Sequence, residues 1–183
     1  LARVGRTPGH RFLAFEGRHW TYSEAWIEIL HYASVLRGLG LEPGQRVASY
    51  LSNRPETLWT WFGTLAAGGV YCPLNRAHKG EILQGMPDRS GAAIFVSENS
   101  AAGDLPAMPP SVRAVAMVED VLFQSAGPSH SIPARPGIYD DAVIMYTSGT
   151  TGGSKAARLC HQLFAYQAAR VVDIAPFDRG WGR

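Results

Sequence analysis

Cysteine is scarce in this chain of 183 residues, with Cys72 and Cys160 the only two. Two thiols so far apart make neither a disulfide framework nor a Cys-x-x-Cys metal motif. The six histidines, at 10, 19, 31, 78, 130 and 161, form no His-x-x-x-His spacing, so no metal site is expected. Few cysteines fit a reducing, cytoplasmic setting. An excess of one charge sign is also missing. Seventeen Lys and Arg against 15 Asp and Glu leave a formal net charge of +2, and the basic residues are scattered. Nucleic acid is therefore not expected as the main partner, since such binders carry a clustered basic face. The start, Leu1-Ala2-Arg3-Val4-Gly5-Arg6, lacks the apolar core of a secretory leader. Long hydrophobic runs are absent as well. The uncharged stretch 57–74 is broken by Gly63, Gly68, Gly69 and Pro73. It reads as a buried helix plus a strand, so no transmembrane segment is expected. No internal repeat is visible.

What remains is globular: 46% hydrophobic and 17% charged residues, in a length that suits one large domain or two small ones. Residues 12–15 and 19–22 read as a hairpin about Glu16-Gly17. Thr21-Tyr22-Ser23-Glu24 has the capping-box pattern, so a helix should run to about 39. Trp26, Ile29, Leu30, Ala33 and Leu36 or Arg37 would form its buried stripe, and Gly38 and Gly40 would stop it. A strand is expected over 46–51. A helix should follow from about 55, capped by Asn53, with Leu58, Trp61, Phe62 and Leu65 facing the core. Trp59, Trp61 and Phe62 are core rather than a ligand platform on this reading. Further strands are expected over 70–74, 92–96 and 112–118, with a helix over 79–89 and a short one ending near 125. Residues 100–111 and 127–137, rich in Pro and Ser, read as loops. The apolar run 142–146 should be a strand, and a helix should span about 161–172. Strands and helices alternate, so the expected fold class is α/β with a mostly parallel sheet.

The stretch Tyr146-Thr147-Ser148-Gly149-Thr150-Thr151-Gly152-Gly153-Ser154-Lys155 stands apart. No packed core needs that composition. Glycines let a ligand approach the main chain, and hydroxyls with exposed N–H groups offer donors to an anion. Lys155 adds a positive charge. A strand, a Gly/Ser/Thr loop and a lysine in that order suit a polyphosphate. Two other phosphate motifs fail on spacing. The Walker A form needs Gly-Lys-Ser/Thr, whereas Ser154 precedes Lys155 and Ala156 follows it. The dinucleotide form needs Gly-x-Gly, which the loop lacks.

Residues 146–161, YTSGTTGGSKAARLCH, resemble the phosphate-loop signature of the adenylate-forming (AMP-binding) superfamily: acyl-CoA synthetases, luciferase-like ligases and peptide-synthetase adenylation domains. Thr147 to Gly152, Lys155 and His161 match at the family spacing. Three other stretches lie in family order: Trp20 to Glu24, Gly44 to Ala48, and Gly69 to Asn75. The resemblance implies the front part of such an enzyme. Residues 1–137 would be an α/β lobe of a partial N-terminal AMP-binding domain. Residues 138–183 would hold the strand, phosphate loop and following helix, and the C-terminal domain would be absent.

The implied reaction activates a small-molecule carboxylic acid with ATP and Mg²⁺, then passes the acyl group to a thiol, with coenzyme A as the acceptor. Thr147, Ser148, Gly149, Thr150, Thr151, Gly152 and Lys155 would hold the nucleotide, and Lys155 and His161 would be catalytic. His161 also reads as a plain helix-start residue, and Cys160 as a small buried one. The sequence departs from the family pattern at Ser154 and Ala156, where Pro and Gly are usual, and at Asp178 and Arg179, in a segment where histidines are usual. Those departures favour an alternative, a catalytically dead remnant acting as a binding or scaffold module. On either reading these 183 residues by themselves are not expected to turn over.

Overall fold

The computed structural model describes residues 2–124, 134–147 and 155–174. A short helix α1 (Ala2–Arg6), which the sequence pattern did not signal, leads into the hairpin β1 (Arg11–Phe15) and β2 (Arg18–Thr21). Its turn places Glu16 at φ 47° and Gly17 at φ 81°. Positive φ at both central residues is the type I′ geometry that matches strand twist.

The capping box forms as expected. The Glu24 amide donates to Thr21 Oγ1 at 3.2 Å, and the Thr21 amide donates back to the Glu24 carboxylate at 2.7 Å. Helix α2 (Tyr22–Gly38) follows. Its most buried residues are Ala25, Ile29, His31, Tyr32, Ala33 and Leu36, with Trp26 and Leu30 only half-buried. The stripe is rotated from the expected one because α2 packs closely on a second helix.

That helix is α3 (Pro55–Ala67), reached through β3 (Arg46–Tyr50). Asn53 does not cap it; the cap position is Arg54, whose side chain makes no capping bond. Its most buried face is Thr60, Gly63, Thr64 and Ala67, whereas Leu58, Trp61, Phe62 and Leu65 lie at its half-buried margins. Small residues line the contact because the two helices nearly touch there. A Cβ on Gly63 would lie 2.6 Å from Tyr32 Cβ and 3.2 Å from the Ala33 amide nitrogen. Arg37 donates to the Ala66 carbonyl at 2.9 Å and ties the helix ends together.

Strand β4 (Val70–Pro73) completes the stretch read as helix plus strand. The single helix expected over 79–89 is instead two, α4 (Gly80–Gln84) and α5 (Met86–Ser90). Gly85 stands at the break, and Pro87 has no amide to continue the ladder. Next come β5 (Ala92–Ser97), a 3₁₀ turn over Asn99–Asp104 where loop was expected, β6 (Ala114–Met117) and α6 (Val121–Gln124). Residues 127–133 of the expected connector, with 125 and 126 before it, lie outside the described residues; beyond them the Ala134 amide donates to the Ala66 carbonyl. The chain resumes in β7 (Asp141–Thr147), β8 (Lys155–Cys160) and α7 (His161–Ile174).

Six strands form one sheet in the order β6-β5-β3-β4-β7-β8, parallel throughout except that β8 runs antiparallel to β7. Alternate residues of the central strands face two helical layers. Val47, Ile94 and Val96 pack with α2 and α3, whereas Ala48, Tyr50 and Phe95 pack with Leu83 and Met86 of the α4–α5 side. Near-continuous apolar strands such as Ala92–Ser97, buried at every position, are what a sheet covered on both faces requires. A third small core joins Tyr71, Ala142 and Val143 to Trp61, Leu65 and Phe164. Trp61 stacks on Tyr71 at 5.9 Å and meets Phe164 edge-on, so the tryptophans of α3 are packing residues, as read from their spacing. Among the described residues no helix is long and apolar enough to cross a membrane.

Candidate functional site

Parallel strands end on one side of a sheet, and in open α/β sheets ligands gather outside those carboxyl ends. Here the ends are Tyr50, Ser97, Pro73, Met117 and Thr147. The hydroxyl- and glycine-rich loop leaves from the last of them. Thr147 and Lys155 are directly paired across the β7–β8 ladder. The loop's two anchors therefore stand side by side at the carboxyl edge, and Lys155 is exposed there. Ser148, Gly149, Thr150, Thr151 and Gly152, with Gly153 and Ser154, lie outside the described residues, as do Asp178 and Arg179.

His161 is elsewhere. The ladder pairs Asp141 with Cys160 at its far end, and six residues of strand span about 20 Å. The His161 amide donates to the Asp140 carbonyl at 3.1 Å, at the opposite edge from the loop. Lys155 and His161, both expected to be catalytic, thus lie at opposite ends of β8. Burial lowers the His161 pKa, with the nearby Asp140 charge opposing, which favours the neutral ring. Cys160 is half-buried rather than buried. Cys72 is fully buried, and burial pushes its thiol up to about 12, so it carries no reactivity.

Behind the loop the carboxyl edge holds a polar network that the sequence reading missed. Glu98, 2% exposed, follows β5 directly. Its carboxylate accepts from the Ser52 amide (3.2 Å), Ser52 Oγ (2.8 Å), Ser100 Oγ (2.8 Å) and Arg76 Nε (3.2 Å), with the Arg54 guanidinium at 3.5 Å. Burial alone would raise its pKa, but the Ser52 and Ser100 hydrogen bonds and the Arg76 charge outweigh that and hold it at about 2. Arg54 also pairs with Glu56 and Glu119. The only signal in the sequence was a lone carboxylate at the end of an apolar strand. Apart from Ser100, its partners are 22, 44 and 46 positions away, too far for local pattern to show.

Three cavities open on this edge, and that of about 520 Å³ lies against the network itself, lined by Ser52, Arg54, Glu56, Glu98, Ser100 and Glu119. One of about 250 Å³ is shared by Leu74, Asn75 and His78 after β4 and by Met145 and Tyr146 at the foot of the loop. Another of about 430 Å³ lies between Ser49, Ser52, Asn53, Tyr71, Asn75 and Arg76. Among the described residues there is no group of three or more His, Cys, Asp or Glu able to hold a metal ion. A loop of amides, hydroxyls and one lysine instead has the donor chemistry of an anion site.

Residues 2–181 match the family model of the AMP-binding enzymes. The chain belongs to that family. It is 31% identical over 160 residues to gramicidin S synthase 2 of Brevibacillus brevis, a match covering 87% of this chain and 4% of that protein. Feruloyl-CoA synthase of an Amycolatopsis species is 31% identical over 183 residues, covering 98% of this chain and 36% of that one. The structure superposes on ATP-bound MatB from Rhodopseudomonas palustris with a TM-score of 0.77 and 32% identity, over 86% of this chain and 33% of MatB. The chain thus spans well under half the length of these AMP-binding relatives, and it shares their mixed α/β architecture with a mostly parallel sheet.

Proposed function

We propose that this AMP-binding chain is the nucleotide-gripping front part of an ATP-dependent carboxylate-activating ligase. The observation that carries the reading is the hairpin. A Ser/Gly/Thr loop joins two paired anchors, Thr147 and Lys155, at the carboxyl edge of a parallel sheet. In the proposed reaction a carboxylate oxygen attacks the α-phosphorus of ATP. The bond from that phosphorus to the bridging oxygen breaks, and pyrophosphate leaves with its electron pair. Thr147, Ser148, Gly149, Thr150, Thr151, Gly152 and Lys155 would bind the β- and γ-phosphates and stabilise the charge that grows on them. Mg²⁺, bound with the triphosphate, would neutralise its oxygens. His161, at the far end of β8, has in this reading the helix-start role.

A thiol then takes the acyl group. We propose coenzyme A as the acceptor, by analogy with the feruloyl-CoA synthase relative. The peptide synthetase relatives share the same front part, so the acid and acceptor are chosen by other parts of the protein. The buried, unreactive Cys72 fits the cytoplasm as the proposed compartment.

Calorimetric titration of this chain with Mg-ATP, beside Lys155→Ala, tests the reading. One charge-assisted bond is worth roughly 1.5–3 kcal/mol, so affinity should fall by about ten- to a hundredfold. Equal heats from the two proteins would remove Lys155 from the phosphate site. Mg-ATP binding retained in the parent without acyl-AMP formation is expected of these 183 residues alone. Absence of nucleotide binding would favour the scaffold alternative.

A further inference from the structure

The Glu98 network joins the loops that follow β3, β4, β5 and β6 at the carboxyl edge of the sheet. Glu98 holds the Ser52 amide of the loop after β3 and the Ser100 hydroxyl of its own. Through Arg54 it reaches Glu119 in the loop after β6, whose carboxylate in turn accepts from the Asn99 amide at 2.9 Å. Through Arg76 it reaches the loop between β4 and α4, which shares a cavity with the hairpin stem.

Arg76 is fixed from three sides. Its Nε donates to Glu98, its Nη1 lies 3.6 Å from Asp104, and its guanidinium stacks 4.4 Å above the Tyr50 ring. Tyr50 is fully buried, and its hydroxyl donates to the carbonyls of His78 (2.8 Å) and Arg76 (3.2 Å). Lys79 pairs with Asp104 at the end of the same loop. One face of that loop is therefore bolted to Glu98. The other face, Asn75 and His78, shares the 250 Å³ cavity with Met145 and Tyr146. Tyr146 itself donates to the Arg89 carbonyl. The carboxylates around Glu98 are engaged by arginines and amides.

We propose that Glu98 is a positioning residue which, through Arg76 and Tyr50, sets the β4–α4 loop against the stem of the phosphate-loop hairpin and so tunes nucleotide binding. The nucleotide part rests on the function proposed above; the positional part does not. Glu98 touches no ligand in this scheme. Its effect passes along one chain of contacts, from Glu98 to Arg76, to Tyr50 and His78, and then to the cavity under Tyr146.

Hydrogen exchange on the full 183-residue chain tests this, with Glu98→Gln, Arg76→Gln and the double variant beside the parent. Arg76 lies nearer the surface than Glu98, so its variant keeps the test valid if Glu98→Gln folds poorly. Each single change should speed exchange of the amides of residues 75–79 roughly tenfold, as expected for a networked pair, and the double change should add little more. Amides of β3 should keep their protection. Arg76→Lys should restore part of it, because lysine retains the charge but loses the planar stack and fork. Mg-ATP affinity should fall in the same order as protection. Unchanged exchange at 75–79, or single effects that simply add, would overturn the positional link. If the parent binds Mg-ATP and both variants bind it equally well, the tuning role fails while the phosphate site stands. A parent that binds no Mg-ATP sinks the phosphate site instead, and the exchange data alone then decide whether Glu98 places the loop.

Discussion

Strands β3 and β5 bury nearly every side chain between two helical layers, whereas β8 at the sheet's outer edge leaves Lys155 to Arg158 exposed. The contrast extends to the neighbours. Phe95 and Ile94 are fully buried; Met145 on β7 is 47% exposed, and Tyr166 on α7 is 55% exposed. In the centre apolar contact is dense and most polar groups are paired across long sequence distances. At the edge, backbone pairing does most of the holding. Functional loops are commonly drawn from such sparsely packed regions, because closing around a ligand requires low local stability. The difference between the two regions teaches that the chain separates a part that defines the fold from a part that can respond.

Matched truncations measure that separation most directly. Phe95→Ala should cost about 3–5 kcal/mol in urea unfolding, the usual range for a deleted core aromatic. Leu163→Ala, on the exposed edge, should stay within about 0.5 kcal/mol. Similar costs at both positions would erase the contrast. A smaller effect with a diagnostic sign comes from Gly63→Ala. In a typical helix interior this change stabilises by roughly 1 kcal/mol. Here the new methyl meets Tyr32 Cβ and the α2 backbone, so a net loss of about 1–3 kcal/mol is expected from overpacking. A gain in melting temperature would show that the helices can separate freely.

Acid sharpens the comparison further. The Glu98 carboxyl is held at about 2, below its ordinary 4.5. A depressed carboxyl contributes stability that is in place above the unfolded value and is lost as pH falls through the folded one. The parent chain should therefore lose urea resistance between about pH 4.5 and 2 more steeply than Glu98→Gln, while Leu163→Ala should follow the parent. Parallel acid profiles for parent and Glu98→Gln would mean that the buried carboxylate gives the central region no pH-dependent support.

Much of this architecture was legible locally. The capping box at Thr21, the Glu16-Gly17 turn and the apolar strand at Ala92 are each written within a few residues, so the α/β class and most element positions followed. The faces of α2 and α3 did not. Ordinary spacing selects large side chains as the core stripe, but Gly63, Thr60 and Thr64 are buried because two backbones approach closely, which no single helix reveals. The loop 146–155 was visible from composition, because it makes no sense as packing. The Glu98 network was invisible, since its members become neighbours only when four parallel strands align. The gap between Lys155 and His161 was equally hidden: six residues look close in sequence, but an extended strand sets them at opposite edges.

The register between β4 and β7 has a kinetic consequence. Tyr71 and Val143 are adjacent in the sheet but distant along the chain. Contacts of that kind form late, after local units have condensed, because closing a long span is entropically slow. The α2–β3–α3–β4 unit can assemble from near neighbours, and the β7–β8 hairpin then docks on its finished flank. A nascent or heat-stressed molecule should thus acquire the β7–β8 hairpin last and surrender it first, with the central sheet still standing.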